Sequence, residues 1–380
     1  MAAYDLIVIG TGGVGSAALY QAARRGQRAL GIDRFPGGHD RGSSHGQTRI
    51  IRRAYFEHPD YVPLLDRAYE SWKELETAAE RPLYFPVGLI EIGPRDGVLV
   101  PGVLTAAEKY RLPLERLTSD DVARRFSGFH VPDGYEALFE SDAGYLLVEQ
   151  CVLTYLEQAQ RLGAELAIGD EVVDWRDEAG EIVVHTATAT YRAPRVIVTA
   201  GAWSEGLLRS LGVRLQVVRK HLHWYRCDDE RYRADRGCPA FFYEVPSGYF
   251  YGFPQIDDAG VKLAEHSGGT EVANPLADDR QPEAEDDRRV ERFLREYLPG
   301  VTGRQTQHAV CFYTRSPDEH FIIDRHPHHP NVVFAAGLSG HGFKFASVLG
   351  EILVDLAVDG ATASPIDFLS SRRFGNNLAV

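Results

Sequence analysis

Cysteine and positive charge are both scarce in this chain. Its 380 residues include four cysteines, too few and too scattered for a disulfide scaffold, so we expect a reducing compartment, the cytoplasm. Lys and Arg number 41 against 54 Asp and Glu, giving a net charge of −13. Because nucleic acids and anionic membrane surfaces attract basic proteins, this balance argues against both as partners.

The sequence also lacks a segment typical of a secretory signal or a membrane span. Residues 6–23 are uncharged, but glycines and polar residues interrupt them, and no basic region precedes an apolar core. Hydrophobic residues make up 44% and charged residues 25%, which excludes bulk disorder and fibrous structure. At about 150 residues per domain, the length favours two or three compact units.

A nucleotide-binding pattern opens the chain. Residues 4–9 (YDLIVI) predict a buried strand, residues 10–15 (GTGGVG) form a GxGxxG motif, and residues 14–25 predict a helix. Residues 29–32 predict a second strand that ends at Asp33. Strand, glycines, helix, strand and acid in this order indicate a Rossmann-like unit, whereas the glycine motif alone is weak.

Each residue of this motif has a physical role toward a dinucleotide. Gly10 permits the tight turn, Gly12 lets the backbone approach a pyrophosphate, and Gly15 lets the helix pack on the strand. The pyrophosphate would lie at the helix N-terminus, and Asp33 would accept hydrogen bonds from a ribose hydroxyl. FAD and NAD(P) remain equally open at this point, and a glycine-rich turn in an unrelated α/β unit is the structural alternative.

The two ends of the chain are predicted to build one domain. Residues 195–203 (RVIVTAGAW) predict a buried strand with a turn at Gly201, and residues 331–336 predict another before a glycine-rich turn and a helix. We expect an α/β fold (mixed α+β) with a Rossmann-like FAD/NAD(P)-binding domain and a second, catalytic domain. The predicted nucleotide domain comprises residues 1–83, 146–217 and 311–380, and the catalytic domain residues 84–145 and 218–310.

Three long segments carry a resemblance to a known family. Residues 42–52 (GSSHGQTRIIR), 316–324 (SPDEHFIID) and 337–345 (GLSGHGFKF) resemble loops of the monomeric sarcosine oxidase and N-methyltryptophan oxidase family. The likeness runs essentially end to end. It implies FAD-dependent amine oxidation and a catalytic domain with a large mixed β-sheet.

The resemblance implies a covalently bound flavin. Cys311 matches the attachment residue, which forms an 8α-S-cysteinyl thioether; from the sequence alone, a buried strand cysteine is the simpler interpretation. Two positions depart from the family pattern, because Ser44 replaces a common His and Gln47 an acidic residue. Further residues matching cofactor-side positions are Ser43, His45, Thr48, Gly201, Gly340 and Gly342.

The resemblance also implies a substrate site. Arg52 and Lys344 match the cations that hold the substrate carboxylate, and Tyr251 matches a pocket tyrosine. The catalytic residues implied are Lys262, His266, Arg49 and Tyr313, with Lys262 promoting reaction with oxygen. Without the resemblance, these residues would be interpreted as solvated cations, core tyrosines and an exposed strand lysine.

The function expected is FAD-dependent oxidation of an N-methyl or other secondary amino acid by oxygen. The products are the amino acid, formaldehyde and hydrogen peroxide. Residues 337–352 are more like the N-methyltryptophan branch, while sarcosine and pipecolate-type cyclic amines remain open. An NAD(P)-dependent dehydrogenase and a noncatalytic flavin-binding protein are the rival classes. We expect a monomer. We also expect no metal, because the histidines within residues 326–329 are interpreted as part of a surface loop.

Overall fold

The chain folds into four β-sheets and eight α-helices in a computed structural model that describes residues 4–377. The helices in chain order are α1 (Gly13–Arg24), α2 (Val62–Ala79), α3 (Leu99–Tyr110), α4 (Ser119–Arg125), α5 (Val148–Arg161), α6 (Ser204–Leu207), α7 (Ala284–Tyr297) and α8 (Ala346–Val358). The strands are β1 (Leu6–Ile9), β2 (Ala29–Asp33), β3 (Thr48–Ile51), β4 (Tyr84–Phe85), β5 (Leu89–Pro94), β6 (Glu115–Leu117), β7 (Tyr135–Glu140), β8 (Gly144–Leu147), β9 (Glu165–Ile168), β10 (Val172–Glu178), β11 (Glu181–Thr186), β12 (Thr190–Ala193), β13 (Val196–Val198), β14 (Gln216–Tyr225), β15 (Ala240–Val245), β16 (Gly248–Phe253), β17 (Val261–Glu265), β18 (Thr270–Glu271), β19 (Gln305–Arg315), β20 (Ile322–Arg325) and β21 (Val332–Ala336).

A six-stranded sheet contains the predicted nucleotide-binding unit. Its order is β20-β21-β13-β1-β2-β9, and every neighbouring pair is parallel except β20 with β21. All four residues of β1 are buried, because helices cover one face and a second layer covers the other. Helix α1 packs between α5 and α8. The N-terminal and C-terminal segments therefore complete one sheet, as the sequence predicts.

A nine-stranded mixed sheet forms the second half of the molecule. Its order is β18-β14-β17-β16-β15-β5-β7-β6, and β19 pairs with β14. Most pairs are antiparallel, but β15 runs parallel to β5. The predicted mixed α/β fold with a large mixed sheet is confirmed.

Three predicted domain boundaries fall inside strands: 145/146 in β8, 217/218 in β14 and 310/311 in β19. Strand β14 begins at Gln216 and β19 ends at Arg315, and the two pair along almost their whole length. The boundaries at 217/218 and 310/311 would divide this pair, so the structure places residues 216–217 and 311–315 in the nine-stranded sheet. The division into two domains stays a prediction. Among residues 4–377, no helix has the length and apolar character that a membrane crossing needs.

Candidate active site

A cavity of about 180 Å³ lies where the six-stranded sheet meets β19. It begins at the carboxyl ends of β1 and β2, the edge at which α/β sheets bind nucleotides. Predicted cofactor residues that line it are Gly10, Gly12, Asp33, Ser43, Gly201, Gly340 and Gly342. The structure thus brings together residues from widely separated parts of the sequence around one space.

The glycine motif shapes one wall of this cavity. Gly10 has φ +86°, and a Cβ there would lie 2.7 Å from the Thr199 carbonyl oxygen. A Cβ on Gly15 would lie 1.8 Å from the Gly10 carbonyl oxygen, so this glycine sets the approach of α1 to β1. At Gly12, the nearest neighbouring atom would be 3.9 Å away. Gly12 therefore leaves open space at the start of α1, where helix N–H groups favour an anion.

Asp33 is held at the end of β2 by protein donors. Its Oδ2 accepts hydrogen bonds from the Thr11 backbone N–H at 2.6 Å and the Thr11 hydroxyl at 3.2 Å, and its Oδ1 accepts one from the Phe35 N–H at 2.9 Å. A carboxylate offers about four acceptor positions, so one remains for a ribose hydroxyl.

Two buried donors beside Asp33 lack a protein partner. Arg34 Nη1 and Trp203 Nε1 make no hydrogen bond within the described residues, and both side chains line the cavity. Buried donors are normally paired, so these atoms indicate a polar ligand. Sequence reasoning missed both residues, although Arg34 directly follows the acid. These features together fit FAD: the glycine turn, the N-terminus of α1, the Asp33 carboxylate and the two unpaired donors.

A second cavity, of about 50 Å³, adjoins the first. The two cavities share Arg49, Tyr313, Gly340 and Phe343 as lining residues. The other residues around the second cavity are Ile50, Arg52, Glu57, Phe242, Tyr251, His266, His341 and Lys344. A small molecule bound here would lie next to one bound in the nucleotide cavity.

Arg52 differs from the solvated cation that the sequence alone suggested. It is 2% exposed, and its Nη2 donates to both carboxylate oxygens of Glu57 at 2.9 Å. Nη1 donates to the Ala54 carbonyl oxygen at 3.0 Å and lies 3.5 Å from Glu91 Oε1. The rings of Tyr55 and Phe56 lie 4.6 and 4.7 Å from the guanidinium carbon. A ligand carboxylate would therefore have to replace Glu57 at this cation.

Lys344 lies close to Arg52 and is also buried. Its Nζ donates to the His341 carbonyl oxygen at 3.0 Å and lies 5.1 Å from the centre of the Tyr55 ring. Burial and the neighbouring Arg52 lower the pKa of Lys344 to about 7. The lysine can therefore change charge near neutral pH.

Tyr251, His266 and Tyr313 form the aromatic side of the second cavity. His266 Nδ1 and the Tyr313 hydroxyl lie 3.2 Å apart, within hydrogen-bond distance. Burial lowers the pKa of His266 to about 3, so its imidazole is neutral at physiological pH. Burial raises the pKa of both tyrosines, which keeps their hydroxyls protonated. This side of the cavity is polar but uncharged.

Lys262 lies behind Arg49 in the same region. Its Nζ donates to the carbonyl oxygens of Gly46 at 2.5 Å and Thr48 at 2.7 Å. Burial, and then the charge of Arg49, lowers its pKa well below the usual range. The lysine is 1% exposed, which contradicts an exposed strand lysine.

Residues 45–49, in the loop before β3 and at the start of that strand, lie in the same region as Lys262. Arg49 donates to the carbonyl oxygens of Thr48 and Ser43 at 2.9 and 2.8 Å. His45 is buried, and burial lowers its pKa to about 3. His45, Thr48 and Lys262 lie behind the cavity walls, outside the residues that line either space.

Cys311 is buried in β19. Alternation along the strand places Cys311 and Tyr313 on one face, in a cluster with Tyr251, while Phe312 packs on the other. Gly15 and Cys311, like the residues behind the wall, are outside the lining of both cavities. The cysteine nevertheless lies two residues from Tyr313, which lines both.

Sequence reasoning missed five residues around the second cavity, which are Ile50, Glu57, Phe242, His341 and Phe343. Glu57 pairs with Arg52, and His341 Nδ1 lies 2.5 Å from the Tyr55 hydroxyl. Phe242 packs against the His266 ring at 5.8 Å between centroids. His341 stands inside the family-like segment 337–345, so that signal was present. Nothing in the local sequence marks Phe242, because its partner His266 follows another strand. Glu57 stands only five residues from Arg52, but no motif marks the two as a pair.

The fold and both cavities define a class, the FAD-dependent oxidoreductases. The family model described as "FAD dependent oxidoreductase" matches residues 5–356, and the chain belongs to this family.

One relative is the monomeric sarcosine oxidase of Bacillus sp. (strain B-0618), which is 40% identical over 97% of this chain and 96% of that protein. The N-methyl-L-tryptophan oxidase of Escherichia coli O139:H28 (strain E24377A / ETEC) is 43% identical over 94% of this chain and 95% of that protein. The structure of NikD, described as an unusual amino acid oxidase, matches with a TM-score of 0.85 and 27% identity over 97% of both chains. The predicted family is confirmed.

Proposed function

We propose that this enzyme oxidises N-methyl amino acids with oxygen, giving the amino acid, formaldehyde and hydrogen peroxide. The observation that carries the proposal is the second cavity, which joins a cationic end to an uncharged aromatic side and borders the nucleotide cavity. The names of the relatives, sarcosine oxidase and N-methyl-L-tryptophan oxidase, support the same substrate class.

The cationic end would bind the substrate carboxylate. Nη2 of Arg52 donates to both carboxylate oxygens of Glu57, and a substrate carboxylate would accept the same charge-assisted hydrogen bonds. Lys344 adds a second positive charge when protonated. Substrate binding therefore begins with the exchange of one carboxylate for another at Arg52.

The aromatic side would hold the secondary amine in its neutral form. Only the neutral amine has a lone pair to assist loss of the adjacent hydrogen. A buried aromatic site lowers the pKa of an amine because it disfavours the cation. Tyr251, Tyr313 and His266 supply dipoles without adding a negative charge that would restore the ammonium.

FAD, when bound, would accept two electrons and a proton, a hydride equivalent, from the C–H bond beside nitrogen, and would pass two electrons and two protons to oxygen to give hydrogen peroxide. Asp33, the start of α1, Arg34 and Trp203 would hold its polar groups. Tyr313 and Arg49 line both cavities and would stand between cofactor and substrate. The imine product then leaves and is hydrolysed by water, and Lys262 would supply positive charge for the reaction with oxygen.

Covalent attachment at Cys311 is part of the proposal. The nearness of Cys311 to Arg49 supports it, since a neighbouring cation favours the thiolate that such a bond requires. We also propose a cytoplasmic monomer. Free, buried cysteines support the compartment, and the name of the monomeric relatives supports the oligomeric state. Size-exclusion chromatography with light scattering measures the mass.

N-Methyltryptophan is the proposed substrate, with sarcosine and pipecolate-type cyclic amines as alternatives. The test is an anaerobic absorbance titration of the purified protein with each amine, alongside acid precipitation of a second sample. We expect bleaching of the yellow intact protein by one amine and yellow colour retained in the pellet. No bleaching by any of the amines would overturn the proposed activity, and a colourless pellet would overturn the covalent bond.

A further inference from the structure

A buried carboxyl group lies behind the cation of the second cavity. Glu91 is 1% exposed in the middle of β5, and neither carboxyl oxygen has a hydrogen-bond partner among the described residues. Arg52 lies beside it, with Nη1 3.5 Å from Oε1. A group of this kind costs free energy to bury, so its position beside Arg52 requires an explanation.

We propose that Glu91 is a positioning residue for Arg52 whose protonation sets the affinity of the site for the substrate carboxylate. This inference rests on the proposed function, in which Arg52 binds that carboxylate. Glu91 itself does not line the cavity and would not touch the substrate.

The geometry divides the guanidinium between two carboxyl groups. Glu57 takes Nη2 from the cavity side and can be exchanged, because it belongs to the lining. Glu91 approaches Nη1 from the strand behind and cannot leave, because β15 pairs with β5 on one side and β7 on the other. Glu91 thus stays beside Arg52 whichever carboxylate occupies the front.

The charge of Glu91 then decides how tightly an anion binds to Arg52 from the cavity side. When Glu91 is protonated, Arg52 carries one uncompensated positive charge toward the incoming carboxylate. When Glu91 is ionised, it neutralises that charge and repels the ligand. Burial, with the carboxylates of Glu140 and Glu57, raises the pKa of Glu91 to about 8, although Arg52 and Lys344 oppose the rise.

The surroundings of Glu91 contain few other groups that titrate near neutrality. Glu140 on β7 has a raised pKa but accepts hydrogen bonds from the backbone N–H groups of Arg53 and Ala54 at 2.8 and 2.9 Å. On β15, Phe242 faces Glu91 in register. Helix α3 contributes apolar Leu99, Val100 and Val103 to the same core. Lys344 is therefore the titrating neighbour that an experiment must remove.

The experiment measures binding of 2-furoate, a carboxylate without an amine, from the flavin absorbance of the holoenzyme. It compares K344M with the double variant E91Q/K344M between about pH 6 and pH 9. In K344M, the Kd should rise from pH 7 to pH 9 as Glu91 ionises, by up to about tenfold, the limit for a group with a pKa near 8. Loss of the Lys344 charge raises the pKa of Glu91 further and moves the rise toward higher pH. In the double variant, the Kd should stay level. The pKa values of His266 and His341 are lowered to about 3 and 4, so both stay neutral throughout.

Further variants separate the charge of Glu91 from its role in packing. E91D/K344M keeps an ionisable group and should retain the pH dependence, whereas E91L/K344M fits the apolar core and should lose it. Parallel curves for K344M and E91Q/K344M would overturn the inference, as would a level curve in K344M. Failure of the wild-type holoenzyme to bind any carboxylate would overturn the proposed function and this inference with it.

Discussion

At the scale of single residues, the site is built from charged groups that the fold keeps away from water. Arg49, Arg52, Lys262 and Lys344 are all buried near the two cavities. A buried cation is costly unless it is paired or hydrogen-bonded. Arg52 has carboxylate partners, while the other three donate to backbone carbonyl oxygens. Carbonyl oxygens do not cancel a positive charge, so each of these side chains, when protonated, can act on a ligand or a reacting anion.

The proposed role of Lys262 gives the first testable prediction. Lys262→Met should slow reoxidation of the reduced enzyme by oxygen about 100-fold, because one preorganised charge contributes about 3 kcal/mol to a transition state. Anaerobic reduction by substrate should change much less. Stopped-flow absorbance measures both steps separately. Lys220→Met, which removes another buried lysine on the neighbouring strand, should leave reoxidation near the wild-type rate, and equal slowing in both variants would contradict the assignment.

Arg52 supports a second prediction about the substrate carboxylate. Arg52→Ala should lower kcat/KM about 100-fold, mainly through KM, since a buried bidentate pair contributes about 3 kcal/mol. The variant also leaves Glu57 and Glu91 without their cation, so its Tm should fall as well. Steady-state kinetics at a temperature well below the new Tm separates the two effects. An unchanged KM would remove Arg52 from the substrate site.

At the scale of elements, the cofactor cavity depends on how two elements are placed. The start of α1 sits against β1 only because Gly15 has no side chain. Strand β19 then brings Cys311 and Tyr313 to the far side of the same region. Small changes in either element should therefore affect the cofactor in different ways.

Two glycines of α1 provide a matched comparison. Gly15→Ala should destabilise the whole protein by several kcal/mol, because its Cβ would lie 1.8 Å from the Gly10 carbonyl oxygen. In Gly12→Ala, the new Cβ would lie no closer than 3.9 Å to a neighbouring atom. This variant should therefore fold with nearly normal stability but retain less FAD. Thermal unfolding and the flavin-to-protein absorbance ratio measure the two properties. Normal stability of Gly15→Ala would contradict the packing role.

Strand β19 carries the prediction about attachment. Cys311→Ala should leave no flavin in the pellet after acid precipitation, because it removes the sulfur that the proposed bond requires. Cys151→Ala is the control, since Cys151 is equally buried but lies in α5. Covalent flavin in Cys311→Ala would point to another attachment residue.

The sequence predicted elements whose signal is local and missed pairings between distant segments. The strand, glycine turn and helix at residues 4–25 appear as β1 and α1 because each step follows from neighbouring residues. The register that joins β14 to β19, and the parallel pairing of β5 with β15, depend on contacts across more than 80 positions. Glu91 escaped prediction for the same reason, because only the folded chain brings it to Arg52. Glu57 is a local neighbour of Arg52, five residues along the chain, and was missed because no motif marks the pair.

At the scale of the whole molecule, burial controls how the protein responds to acid. Burial lowers the pKa of His45 and His266 to about 3 and that of His341 to about 4. In the unfolded chain these residues titrate near pH 6.5. Below that pH the unfolded chain binds protons that the folded protein does not, so the free energy of unfolding falls.

The pH dependence of stability is the last prediction. The stability that these histidines provide is complete above about pH 6.5 and should fall by up to about 1.4 kcal/mol per pH unit for each as the pH is lowered toward 4. Urea unfolding at a series of pH values measures it. His266→Gln should show a shallower slope than the wild type, and an identical slope would contradict neutral burial of His266.

The position of β1 between β13 and β2, and of α1 against α8, has a consequence for synthesis. Strand β1 leaves the ribosome first, but its sheet is complete only when β21 and α8 follow. At about 5–20 residues per second, the roughly 330 intervening residues take about 15–65 s to translate. Throughout that interval, β13 lacks its parallel partner β21, and α1 lacks the helix α8 that packs against it. Loading of the nucleotide cavity is thereby a late event, and a ribosome stalled before residue 332 would release a chain with no finished place for its cofactor.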